Sequence, residues 1–166
     1  MLNKEQLKTD IHTTFATLSS LLDKFSDSQL NTVPFEGSWT AGQVAEHIII
    51  CGSGIPESKT EPAKRSPNDL VKPVSEMFLN FGIKFKTAPM LEPQQSHHSK
   101  KATLDTISEI EKTHLRTVAN SDLEALCMDM ELPTFGYMTR YEWVRFVLVH
   151  TQRHTRQIEN IYKAVE

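Results

Sequence analysis

Apolar residues recur at intervals of three and four along four long stretches of this chain. Over no comparable length do they alternate one by one. That spacing places side chains on one face of an α-helix, whereas a half-buried strand needs a period of two. In the first stretch, from Asn3 to Phe25, the stripe is Leu7, Ile11, Phe15, Leu18, Leu22 and Phe25. In the second it is Val44, Ile48, Cys51 and Ile55, after an N-cap Thr40 with Gln43 three residues on, a capping box. The third stretch, "TLDTISEIEKTHLRTVANS", carries Leu104, Ile107, Ile110, Leu115 and Val118. The fourth, "TRYEWVRFVLVHTQRHTRQIENIYKAV", opens on a second capping box, Thr139 with Glu142. Trp143, Val147, His150, His154, Ile158 and Ile161 run down one face of it.

Four amphipathic helices and no convincing strand predict an all-α four-helix bundle, and 166 residues suit a single domain over residues 1–166. The stretch "SDSQLNTVPFEGSW" reads as a loop, and so does the region around Pro133 and Gly136. Between helices two and three, residues 56–101 have no clean periodicity and are punctuated by Pro56, Pro62, Pro67, Pro73, Pro89 and Pro93. Only "VSEMFLNFGIKF", 74–85, suggests a short helix there. An ordinary helix–helix link is roughly 2–8 residues. A connection this long can carry the chain back across the bundle, so helices two and three run parallel while pairs joined by shorter loops run antiparallel.

A net charge of −3 offers no basic field for nucleic acid or an anionic membrane. The longest apolar run, around "HIIICG", is too short to span a bilayer, and the polar start "MLNKEQLKTD" does not read as a signal peptide. Cys51 and Cys127 stand in unrelated contexts and suggest no disulfide framework, so the expected compartment is a reducing cytoplasm.

His150 and His154 occupy stripe positions where Leu or Val would be expected. Four residues apart on a helix, their Cβ atoms lie about 5–6 Å from one another, close enough for both rings to serve one ion. The pair alone is equally compatible with core histidines that only hydrogen bond. His47 borders the stripe of the second helix, about 10 Å from its start at 1.5 Å per residue, and the fourth-helix pair lies about 15–22 Å from its own start. If the two helices are antiparallel, the three rings reach similar heights. Three unrelated core histidines remain the alternative.

The residues around them resemble the DinB-like (DinB/YfiT) helical-bundle proteins. In "GSWTAGQVAEHI", Trp39, Thr40, Gln43 and His47 follow the family's helix-two pattern. In "LPTFGYMTRYEWVRFVLVHTQRHTRQI", Gly136, Thr139, Glu142, Trp143, His150, His154 and Gln157 follow its C-terminal pattern. These motifs span about 40 residues, and 56–101 matches no part of the family pattern. The resemblance implies an up-down-down-up bundle and a divalent metal, nickel or zinc, on His47, His150 and His154. It implies a homodimer, and a metal-dependent enzyme using water or a low-molecular-weight thiol for transfer or hydrolysis on a small electrophile. The alternative is a non-catalytic metal- or ligand-binding, stress-related bundle. Three imidazoles suit a transition metal rather than Mg or Ca, and ligation is expected to fade below about pH 6 as the rings protonate.

Neighbouring residues have simpler expected roles. Glu46, about 100° from His47 around the helix, reads as a solvated charge. Gln43 reads as a cap before a group that could reach the site, Arg153 and Gln157 as a polar outer face before substrate contacts, and Cys51, one turn after His47, as a small core residue before a neighbour of the metal. His97 and His98 are expected to be exposed in the loop. His12 and His114 stand isolated on their helices, and Tyr141 and Trp143 are expected to pack near the bundle end.

Overall fold

The computed structural model describes residues 1–166. Its helices are α1 (Lys4–Asp23), α2 (Asp27–Leu30), α3 (Ala41–Gly52), α4 (Val71–Phe78), α5 (Lys100–Asn120) and α6 (Arg140–Val165), with a 3₁₀ turn at Pro89–Leu91. α1, α3, α5 and α6 form the four-helix bundle. α2 is a single turn inside the segment read from sequence as loop. Ser26 and Gln29 form a capping box that nucleates it, and Leu30 anchors it in the core. The only sheet is one antiparallel pair, β1 (Thr60–Glu61) with β2 (Leu126–Cys127).

Contacts between helices fix their directions. α1 and α6 run together: Asp10 pairs with Arg145, Thr14 bonds Gln152, and Phe25 meets Tyr162 edge to face. α1 and α5 run opposed, with His12 on Glu111 and Asp23 near Lys100. α3 opposes α6, since His47 meets His150 while Gly52 meets Val147. The order is up-down-down-up, and 53–99 is the long return that parallel α3 and α5 require.

Both capping boxes read from sequence are present. Thr40 and Gln43 exchange bonds of 3.1 and 3.0 Å, and Thr139 and Glu142 bonds of 3.2 and 2.9 Å. Gln43 is thereby committed to the cap. The stripes are buried as expected: Phe15, Leu18, Ile48, Val147 and Ile158 are each 2% exposed or less. Tyr141 and Trp143 are buried near the start of α6. Ile55 is a small departure, because α3 ends at Gly52 and Ile55 packs on the core from beyond the helix.

The return segment is better ordered than its sequence suggests. α4 occupies 71–78 rather than 74–85, and the segment is held from outside itself. Glu142 accepts from the Arg65 guanidinium and the Leu70 amide while it caps α6. Asp129 accepts from Ser58 and Lys59. Two sequence expectations fail here. His98 is buried rather than exposed, 5% accessible, and Glu46 is buried at 8% rather than solvated. Each explains the other: the His98 Nε2 hydrogen is donated to Glu46 at 2.7 Å, so the buried carboxylate and this ring nitrogen satisfy one another. Gly42 makes this possible, because a Cβ there would lie 2.7–2.8 Å from the His98 ring.

Candidate metal centre

His47 projects from the middle of α3, and His150 and His154 from consecutive turns of α6, into the seam between the two helices. Ring centroids are 5.0 Å apart for His47–His150, 4.6 Å for His47–His154 and 4.5 Å for His150–His154. His47 and His150 are buried and His154 is half-buried. The three histidines singled out in the sequence therefore stand in one cluster.

Hydrogen bonds set which nitrogens are free. His47 Nδ1 lies 2.8 Å from the Leu91 carbonyl oxygen. A carbonyl only accepts, so Nδ1 carries the hydrogen and the Nε2 lone pair is open. His154 repeats the arrangement, Nδ1 donating to Gln157 Oε1 at 2.8 Å. His47 Nε2 then faces His150 Nε2 at 3.2 Å. Two nitrogens held by one tetrahedral ion at 2.0–2.1 Å would lie about 3.3–3.4 Å apart. The observed spacing thus fits shared ligation, and it equally accommodates a hydrogen donated from His150 to His47.

The environment keeps these rings neutral. Burial depresses the pKa of His47, against the Leu91 contact, and that of His150 far more strongly, aided by its neighbours His154, His47 and Arg153. His154 is lowered to about 4, chiefly by burial, with the Gln157 contact opposing. Neutral imidazole is the form that ligates. Trp39, 5.4 Å from the His47 ring, and Phe146, 5.6 Å from His150, wall the cluster.

Cys51 belongs to this cluster, the second of its two sequence readings, rather than serving only as a core residue. It is half-buried, and the potential donor atoms of His47, Cys51 and His150 all lie within 4.8 Å of one another, a group able to hold a metal ion. Its Sγ sits 3.8 and 3.9 Å from the two nitrogens of His47. Near-equal distances place the sulfur off the axis of either ring lone pair. Burial raises its thiol to about 11.

The remaining candidates separate cleanly. His97 is exposed as expected. His12 is exposed and pairs with Glu111, while the buried His114 donates to the Gly52 carbonyl at 2.6 Å. Arg153 and Gln157 do not form an idle outer face: Gln157 orients His154, and Arg153 donates to the carbonyls of Phe78, Asn80 and Ile83. Nothing in the sequence points to the Leu91 carbonyl, because a backbone acceptor has no residue-type signature.

Bundle and cluster together define an up-down-down-up four-helix protein with a group of side chains that can hold a metal between α3 and α6. The chain belongs to the DinB superfamily, whose model matches residues 10–158. It is similar to the uncharacterized protein YuaE of Bacillus subtilis (strain 168), at 24% identity over 149 residues, 87% of this chain and 90% of that one. Its fold is similar to the crystal structure of TT2238, a four-helix bundle protein, with a TM-score of 0.58 and 16% identity, covering 95% of this chain and 99% of that one. No helix here is long and apolar enough to cross a membrane.

Proposed function

We propose that the protein is a metal-dependent enzyme in which His47, His150 and His154 hold one divalent transition ion, nickel or zinc. The reaction is attack on a small electrophile by water or a low-molecular-weight thiol, giving hydrolysis or transfer. The observation that carries the reading is the pair of Nε2 atoms at 3.2 Å with a third ring against both. When bound, the ion supplies a Lewis acid that favours the deprotonated nucleophile at neutral pH. The protein's own groups do the rest. Leu91 and Gln157 fix the tautomers of His47 and His154, Trp39 and Phe146 restrict water, and half-buried His154 marks the side from which a substrate enters. Three protein ligands would leave a position for that substrate. The same reading places the protein in the cytoplasm, where Cys51 and Cys127 stay reduced, and pairs two copies as a homodimer.

Cys51 favours a second reading. If its thiolate ligates as well, protein groups close a four-coordinate site, the mark of a structural rather than a catalytic centre. The protein would then be a non-catalytic metal-binding bundle.

Metal titration tests the first reading. Ala at His47, His150 or His154 is expected to weaken zinc or nickel binding by more than the roughly 100-fold that loss of an outer hydrogen-bond partner costs. His97→Ala is expected to bind as the parent does. Unchanged affinity in any of the three ends the reading. Thiol-dependent loss of an aryl halide that disappears on chelation supports catalysis. A cobalt–thiolate absorption band lost in Cys51→Ser, with no turnover, supports the closed site.

A further inference from the structure

Beside the cluster, across Trp39 and Gln157, lies an open cavity of about 650 Å³ between the first loop, the 81–87 segment and the end of α6. Its charge is one-sided. Lys84, Arg153 and Arg156 line it and no acidic residue does, in a chain whose net charge is −3. Elsewhere in the fold, half-buried arginines have carboxylate partners: Arg65 with Glu142, Arg140 with Glu57, Arg145 with Asp10. The two arginines of the cavity rest instead on aromatic faces, Arg153 at 4.7 Å from the Phe85 ring centre and Arg156 at 4.4 Å from that of Phe81. A ring face holds a guanidinium without neutralising it, so charge and donors remain for another group. The cavity also offers apolar ring surface from Trp39 and Phe81, while Phe85 is stacked on Phe78.

We propose that this cavity binds a small organic anion with a planar apolar body, its carboxylate or sulfonate against Lys84 and Arg156 and its body against the aromatic rings. Arg153 is already committed to three backbone carbonyls and acts mainly to hold the 81–85 wall in place. The cavity adjoins the cluster through Gln157, which bonds His154, and Trp39, which packs on His47, although none of the three histidines lines it. The cavity therefore selects the substrate class of the proposed metal centre. That role rests on the proposed function, while the binding itself does not.

The test is calorimetric titration of chelator-treated protein with naphthoate and with its neutral isostere naphthamide. Working without metal removes direct carboxylate–ion contact. Charge-assisted contacts predict that naphthoate binds about tenfold or more tightly than naphthamide. The advantage should vanish in Lys84→Gln/Arg156→Gln, whose substituted residues are exposed and outside the core. Zinc titration of that double variant should match the parent, since neither residue belongs to the histidine cluster. Equal binding of the two probes, or full naphthoate affinity in the double variant, overturns the proposal. Preserved naphthoate selectivity in a protein that fails to take up zinc leaves the cavity assignment standing and removes only the metal reading.

Discussion

Glu46→Ala probes the contact by which the return segment is fastened to the bundle. The Glu46 carboxylate accepts from the Gln94 amide at 2.8 Å, the Gln95 amide at 3.2 Å and His98 Nε2 at 2.7 Å. Burial alone would raise its pKa, but these bonds outweigh burial and hold it below the ordinary value of 4.5. In the variant, Gln94 and Gln95 are exposed and regain water, whereas His98 is 5% accessible and cannot. His98 Nδ1 already has no partner, so the ring would be orphaned at both nitrogens. A hydrogen bond to a charged group is worth about 1.5–3 kcal/mol, and that is the expected loss. For a chain of this size it amounts to about 3–12 °C in Tm. Glu46→Gln keeps an acceptor oxygen and should recover part of it. A carboxylate with a depressed pKa stabilises above its unfolded value and loses that contribution as pH falls through the folded one. The gap between parent and Glu46→Ala should therefore narrow on acidification below about pH 4.5. The same clamp sits three residues beyond Leu91, whose carbonyl sets the His47 tautomer, so metal affinity should fall about 10–100-fold. Scanning calorimetry and zinc titration read the two effects. A variant that melts within about a degree of the parent would refute the claim that this clamp holds the segment.

Three further outcomes are expected. Ile48→Ala and Ile158→Ala, each removing a fully buried side chain, should cost about 2–5 kcal/mol in denaturant titrations, and parental stability in both would undo the assignment of the stripes. Metal-free protein should lose stability as pH falls from about 6.5 toward 4, because the unfolded chain takes up protons that the buried rings refuse. His154, held at about 4 against 6.5, accounts for up to about 3 kcal/mol of that loss, and a flat stability profile over this range would count against the buried neutral cluster. Zinc uptake should by the same logic persist below pH 6, lower than the unperturbed histidine value suggests, and fade toward pH 4.

The helices were legible because their causes are local. The stripe through Leu7, Ile11, Phe15 and Leu18 and the caps at Thr40 and Thr139 each need only residues three or four apart. Helix directions followed from the length of 56–101 alone. What that segment does with its length was illegible, because its fastenings join residues far apart in the chain: Glu46 to His98, Glu142 to Arg65, Arg153 to the carbonyls of 78–83. None leaves a periodic trace. Helix angle alone points Glu46 to solvent and a loop position points His98 there, and each is buried only because the other is there. The one local hint was Gly42, four residues before Glu46, which leaves α3 bare where His98 packs.

One geometric rule acts on both helices of the histidine cluster. Four-residue spacing on a helix brought His150 and His154 together, and the observed centroid distance of 4.5 Å follows from it. Cys51 stands at the same spacing from His47, and its sulfur reaches the ring for the same reason. The sequence offers that cysteine both places, and the core reading stands first there because a small apolar side chain on a buried stripe needs no other explanation. The rule that pairs two histidines on α6 pairs a histidine and a cysteine on α3, and the two pairs face each other across one seam. Whether a bound ion would sit in an open or a closed site therefore turns on the fourth side chain rather than the third, and Cys51→Ser, more than any histidine variant, separates the two proposed readings.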